Sequence, residues 1–313
     1  MAERPREESW RRLIEDATRV GFDALLSLQE RLRRYAGMPG AVDETGRTGV
    51  REDVVISGIA DFLGSHPRDA FRVLDACCGY GNLAVHLANN LGDRANRVAY
   101  FGVDLNAQHI HRARRPHPDK RKLGGAAYRV GEIWDLPGEW RGTMDLVVLS
   151  NTLHELAPHR FPDLFESLNS IIAADVGRIC VIDMEELPPG DPEAVAINWK
   201  MEEAEAILKA GGFEVSPSKY PKSVGVLRVQ VKQAASIDHR GMLGEIAIHL
   251  RKKLGSLARD RAELDGQFYE DDDSLLTWIV LTGSVARLAE ELLLVEQRLA
   301  ALPEAGPRTP TDK

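Results

Sequence analysis

The residues best suited to chemistry gather around Arg72-Val73-Leu74-Asp75-Ala76-Cys77-Cys78-Gly79-Tyr80-Gly81-Asn82-Leu83. An apolar run ends in a carboxylate, a small-residue loop with two glycines follows, and a helix-like stretch begins. Glycines between a strand and a helix let backbone N–H groups and the helix N-terminus approach a ligand that a Cβ would block. A carboxylate at the strand end repels a diphosphate and favours an ammonium or sulfonium. Farther along, Asp104 and Glu132 follow apolar segments, and His154 follows the run Leu146-Val147-Val148-Leu149-Ser150-Asn151. Acids at the carboxyl ends of successive strands line the crevice where open sheets bind ligands. His154, a titratable imidazole in a post-strand loop, is the candidate general base, with helix capping or ligand contact as its alternative.

These side chains need a scaffold, and the periodicity supplies one. Strands are expected near 71–75, 98–103, 127–130, 144–149 and 178–183, alternating with helices over 81–91, 106–114, 161–174 and 199–210. Val147-Val148-Leu149 and Ile179-Cys180-Val181-Ile182 read as strands buried on both faces, as parallel sheets require. Segments 213–216 and 224–231 have no helix between them, so they are expected to pair antiparallel. The fold class is α/β: a doubly wound seven-stranded, mostly parallel sheet ending in an antiparallel strand pair, with N- and C-terminal helical extensions.

Apolar residues at helical spacing mark 8–36 and 50–64. Leu243, Ile246, Leu250, Leu254 and Leu257 mark another helix, and Leu275 to Leu299 a last one, preceded by acids that suit the helix dipole. The expected division is a helical extension over 1–48, a Rossmann-like domain over 49–233, a helical region over 234–302 and a disordered tail over 303–313.

The net charge of −8 argues against whole-surface attraction to nucleic acid or anionic membrane. Three cysteines, two of them adjacent, give no disulfide framework and suit a reducing cytoplasm, and Cys77 and Cys78 read as packing residues. The longest uncharged apolar-leaning run, 274–286, is thirteen residues, too short to span a bilayer, and the first residues carry no apolar signal core. A soluble, cytoplasmic protein is expected.

Gly79-Tyr80-Gly81-Asn82-Leu83-Ala84 also fits the dinucleotide pattern G-x-G-x-x-G/A, with Asp104 about 20 residues on. The position is wrong for that reading: Asp75-Ala76-Cys77-Cys78 separates strand and first glycine. The arrangement instead resembles the class I S-adenosylmethionine-dependent methyltransferases. Val73 to Gly81 follows their V-L-D-x-G-x-G-x-G motif, with Cys77 in place of the first glycine. Tyr100 to Leu105 resembles their second strand, Gly131-Glu132-Ile133-Trp134-Asp135-Leu136-Pro137 their G-D-A-x-x-L-P, and Met144 to Leu156 their fourth strand and its loop. The resemblance covers about residues 50–233.

It implies S-adenosyl-L-methionine as cofactor, with Asp104 taking the ribose hydroxyls, Glu132 near the adenine amino group and Ile133 against the ring. Asp75, Ala76, Cys77, Gly79, Gly81, Leu105, Ser150 and Asn151 complete the expected cofactor set. Methyl transfer to a small-molecule or protein acceptor is the implied activity. The loop Ser150-Asn151-Thr152-Leu153 lacks the N/D-P-P-Y/F signature of base-amino methyltransferases. RNA methylation is therefore the second reading, and a non-catalytic cofactor-binding interaction module the third. Asp183, Glu185 and Glu186 read as a solvated acidic turn, with a cationic substrate or magnesium as the alternative; no metal site is assigned. The basic stretch 109–122 reads as a solvated helix and loop. The terminal helices are expected to pack on the core, with a lid or a homodimer contact as alternatives.

Overall fold

A computed structural model describes residues 70–150, 152–184, 196–216, 226–232, 236–264 and 272–303. The helices expected over 8–36 and 50–64, Asn151, Glu185, Glu186 and the tail from 304 onward lie outside the described residues.

The strands are β1 (Phe71–Ala76), β2 (Val98–Asp104), β3 (Gly125–Val130), β4 (Leu146–Ser150), β5 (Arg178–Met184), β6 (Val215–Ser216) and β7 (Val226–Lys232). They lie in the order β3-β2-β1-β4-β5-β7-β6. The first five run parallel, with Asp75 opposite Gly102 on one side and Val148 on the other. β7 lies antiparallel to β5, and β6 antiparallel to β7. Helices α1 (Asn82–Asn90), α2 (Ala107–Ala113), α3 (Phe161–Ile171) and α4 (Met201–Ala210) connect the strands, and α5 (His239–Leu264) and α6 (Asp272–Ala301) follow them.

The pleat sends alternate residues to opposite faces. Phe71 and Val73 of β1 join Leu83, Ala84 and Leu87 of α1 in one core layer. Leu74 and Ala76 face the other layer, which α3, α4, α5 and α6 cover. Helix α5 contributes Leu243, Ile246, Leu250 and Leu254 to that layer, and α6 contributes Val285, Leu288, Leu292 and Val295. Both C-terminal helices thus spend their apolar stripes on the core of the sheet, in line with the packing expectation.

Polar contacts tie α6 to the segment after β4. The buried Glu291 carboxylate lies 2.7 Å from His159 Nδ1 and 2.8 Å from Arg287 Nη1. Arg298 donates both guanidinium arms to Asp163, at 3.0 and 2.8 Å. Such forked pairs fix orientation as well as contributing energy. The loop that carries His154 is therefore held from outside by the last helix.

Leu250 is completely buried in the shared layer. Leu250→Ala is expected to lower stability by about 2–5 kcal/mol. Urea unfolding followed by far-UV circular dichroism and by tryptophan fluorescence should show one coincident, shifted transition. An unshifted midpoint would separate α5 from the sheet's core.

Candidate functional site

β1 pairs with β2 on one side and with β4 on the other, so the chain reverses its winding there and a crevice opens at the strands' carboxyl ends. The loop after β1 forms the crevice lip. Cys77, Gly79 and Gly81 all take positive φ, at 63°, 51° and 72°. For Cys77 that conformation costs on the order of 1 kcal/mol, which a glycine would avoid. Gly81 begins α1 with no side-chain cap, leaving the first helical amides directed at the crevice. A Cβ on Gly79 would meet nothing within 4 Å, so this lip is open on its ligand side.

Underneath, the loop is stitched to β2. Cys78 N donates to Val103 O at 2.9 Å, and Gly79 N to Asp104 Oδ2 at 2.8 Å. A Cβ on Gly102 would come within 2.8 Å of both Cys78 Sγ and a Tyr128 ring carbon, so the glycine is what lets the loop lie this close. Burial, with the neighbouring carboxylates, pushes the Cys77 and Cys78 thiols up. Neither behaves as a thiolate, which agrees with a packing role.

Asp75 departs from expectation. Its carboxyl is buried and turned to the α1 face, where Tyr100 Oη donates to Oδ2 at 2.5 Å. Burial pushes it up to about 7; the Tyr100 hydrogen bond opposes that and Asp104 adds to it. The charge-recognition role read from the sequence gives way to a buried strut below the loop. The sequence holds Tyr100 in the same strand motif, but only the β1–β2 register puts the two side chains on one face.

Asp104 keeps its rim position. Besides Gly79 it accepts the Asn106 amide at 2.8 Å, with His109 Nδ1 3.3 Å away. A carboxylate has about four acceptor sites, so capacity remains for two hydroxyls. Leu105 beside it is 70% exposed, and Val130 at the end of β3 is also exposed. Two such apolar side chains on the rim offer a surface to a flat ring. Val130 was missed from the sequence because nothing there shows which strand end lies next to Asp104.

Glu132 is exposed and accepts the Trp134 indole N–H. Ile133, expected against a ring, is instead buried in the core, as is the side chain of Ala76. Neither side chain is exposed at the rim. Ser150 ends β4 half-buried, and its carbonyl accepts Thr152 Oγ1 at 3.0 Å.

His154 is 2% exposed. Its Nδ1 lies 2.7 Å from Asp183 Oδ1, and its backbone N–H donates to Asp183 Oδ2 at 3.0 Å. Its carbonyl accepts Ile197 N at 2.8 Å. The ring and amide of His154 therefore tie the β4 loop to β5, and its carbonyl ties the loop to the segment before α4. Asp183 is correspondingly committed inward, which removes it from the solvated acidic turn and from the cation reading. The sequence could not pair residues on two different strand ends.

The basic stretch is largely self-satisfied: Arg114 donates to Tyr128 O, Lys120 to Ala113 O, and Lys122 to Asn89 Oδ1. Arg112 stacks over the Tyr80 ring at 4.4 Å.

Residues 73–175 match the family model described as a methyltransferase domain. Over those residues the chain is similar to methyltransferase domains. An uncharacterized methyltransferase of Synechocystis sp. is 30% identical over 114 residues, 36% of this chain and 47% of that protein. The chain thus spans about half the length of this curated relative. Among solved structures, the DszA carbon methyltransferase aligns with a TM-score of 0.52 at 16% identity, covering 74% of this chain and 71% of that one. Magnesium protoporphyrin IX methyltransferase from Synechocystis, solved with bound SAH, aligns with a TM-score of 0.43 at 16% identity, covering 65% and 93%. At these identities the structural likeness concerns the fold. Among the described residues no helix is long and apolar enough to cross a membrane.

The Asp75 strut makes a testable demand. Folded Asp75 holds its proton to about 7, against 3.8 ordinarily, while the unfolded chain ionises earlier. The folded state binds more protons between those values, so stability from this group falls as pH rises through that window. Asp75→Asn, which can still accept from Tyr100, should remove a decline on the order of a few kcal/mol. Urea unfolding at pH 4.5 and 7.5 measures it; a variant with the wild-type difference would show that Asp75 ionises normally.

Proposed function

We propose that this protein transfers a methyl group from S-adenosyl-L-methionine to a small-molecule acceptor. One observation carries the proposal: the Asp104 carboxylate, the left-handed glycine loop and the uncapped α1 N-terminus lie together at the carboxyl ends of β1 and β2. The donor set fits the cofactor. Asp104 has acceptor sites left for two ribose hydroxyls, and Leu105 and Val130 offer apolar contact to the adenine. The uncapped amides at the start of α1 face the methionine end. Glu132 is exposed at the rim, where an adenine amino group can find it.

When bound, the cofactor supplies an electrophilic methyl on a sulfonium, a good leaving group. Displacement at that carbon needs the nucleophile held in line, so positioning provides much of the acceleration. In this reading the loop after β4 holds the acceptor side. The His154–Asp183 pair keeps that loop in place, and α6 braces it through Glu291 and Arg298. His154 is thus proposed as a positioning residue rather than the base, because its ring is enclosed and its Nδ1 engaged. The seven-stranded sheet with its antiparallel β6–β7 edge, taken over 49–233 with helical regions before and after, is the proposed domain. Homodimerisation through the C-terminal helices rests on Ile248 and Leu293, their exposed large apolar side chains among the described residues.

Asp104→Asn should weaken S-adenosylmethionine binding at least about tenfold by calorimetry, while the circular dichroism spectrum stays unchanged. Full affinity in that variant removes the ribose assignment. His154→Ala leaves the Asp183 carboxylate buried without its ring partner, and should cost about 3 kcal/mol in urea unfolding. A variant of wild-type stability that has lost turnover would return His154 to the role of base.

A further inference from the structure

A second concavity, of about 750 Å³, lies between the segment leading into α4 and helices α5 and α6. Its size is that of pockets for drug-sized molecules. One wall is apolar: Leu257 from α5 with Val280, Leu281 and Leu288 from α6. The opposite wall is polar. Asn198 Oδ1 is buried there without a hydrogen-bond partner, and neither ring nitrogen of His249 makes an aligned hydrogen bond. The His249 ring lies between Glu245, at 3.1 Å, and Glu203, at 3.7 Å. Leaving the Asn198 acceptor without a donor is costly, which marks this wall as one that meets a polar ligand or water.

The charge on this wall is lopsided. Lys200, Lys252 and Lys253 all line the cavity, against Glu202 and Glu203. Glu203 is buried and already occupied: Lys253 Nζ sits 2.5 Å from Oε2, and the same oxygen accepts the Lys200 amide at 2.9 Å. Burial of Lys253 lowers its affinity for a proton; its pairing with Glu203 opposes that shift, and the nearby Lys200 and Lys252 ammoniums add a smaller push downward. Glu203 is thus spent on Lys253 and the start of α4, Glu202 lies exposed at the edge, and Glu245 is held beside His249. The cavity adjoins the loop after β4, since Ile197 in its lining donates to the His154 carbonyl.

We propose that this cavity binds a small amphipathic carboxylate, its apolar body against Leu257, Val280, Leu281 and Leu288 and its anionic head against Lys200 and Lys252. Its use as the acceptor pocket rests on the methyl-transfer reading above.

Decanoate, decanol and decylamine serve as probes, titrated calorimetrically into the full-length protein, with S-adenosylmethionine titrated in parallel. Decanoate should bind more tightly than decanol, and decylamine least. The variant Lys200→Ala/Lys252→Ala, which alters two exposed side chains, should lose about tenfold or more in decanoate affinity and keep its affinity for S-adenosylmethionine. Decanol or decylamine binding as well as decanoate overturns the proposal, as does a variant with wild-type decanoate affinity or a wild type that binds none of the three. A wild type that takes decanoate but not S-adenosylmethionine sinks the methyl-transfer reading and leaves the cavity assignment standing.

Discussion

Strand-end carboxylates hold this structure's working edge together, each one receiving a donor from a neighbouring segment. Asp75 of β1 takes the Tyr100 hydroxyl from β2, Asp104 of β2 takes the Gly79 amide from the loop after β1, and Asp183 of β5 takes the His154 ring and amide from the loop after β4. Hydrogen bonding offsets the cost of burying these acids, and in exchange each loop has one position. The crevice between them is open because its lip is pinned from below rather than from the ligand side.

This division of labour separates acids that look alike in sequence. Asp75 and Asp183 face inward and act as struts, whereas Asp104 alone combines a pinned loop with acceptor capacity at the rim. The same reasoning applies to Cys77. A left-handed backbone at that position is required by the loop, and a small side chain tolerates it at a modest cost where a β-branched residue would not.

The C-terminal helices extend the core and shape function at once. Their apolar stripes close one face of the sheet, while Glu291 and Arg298 reach the segment following His154. The cavity between α4, α5 and α6 exists because those helices cover the sheet beside the crevice, so packing and a second chamber have one origin. A change in α6 would therefore be felt both in stability and in the loop after β4.

Local pattern determined the order of strands and helices, the parallel character of the first five strands, the glycine loop and the rim position of Asp104. Those features depend on hydrophobic period, turn chemistry and the alternation of elements, all of which are short-range. Tertiary structure alone decided which way each side chain faced. Asp75 meets Tyr100 through strand register, Ile133 turns into the core, and His154 closes on an acid 29 residues away. Sequence spacing carries no record of such contacts, because the free energy of a buried ion or hydrogen bond depends on what the fold brings alongside it.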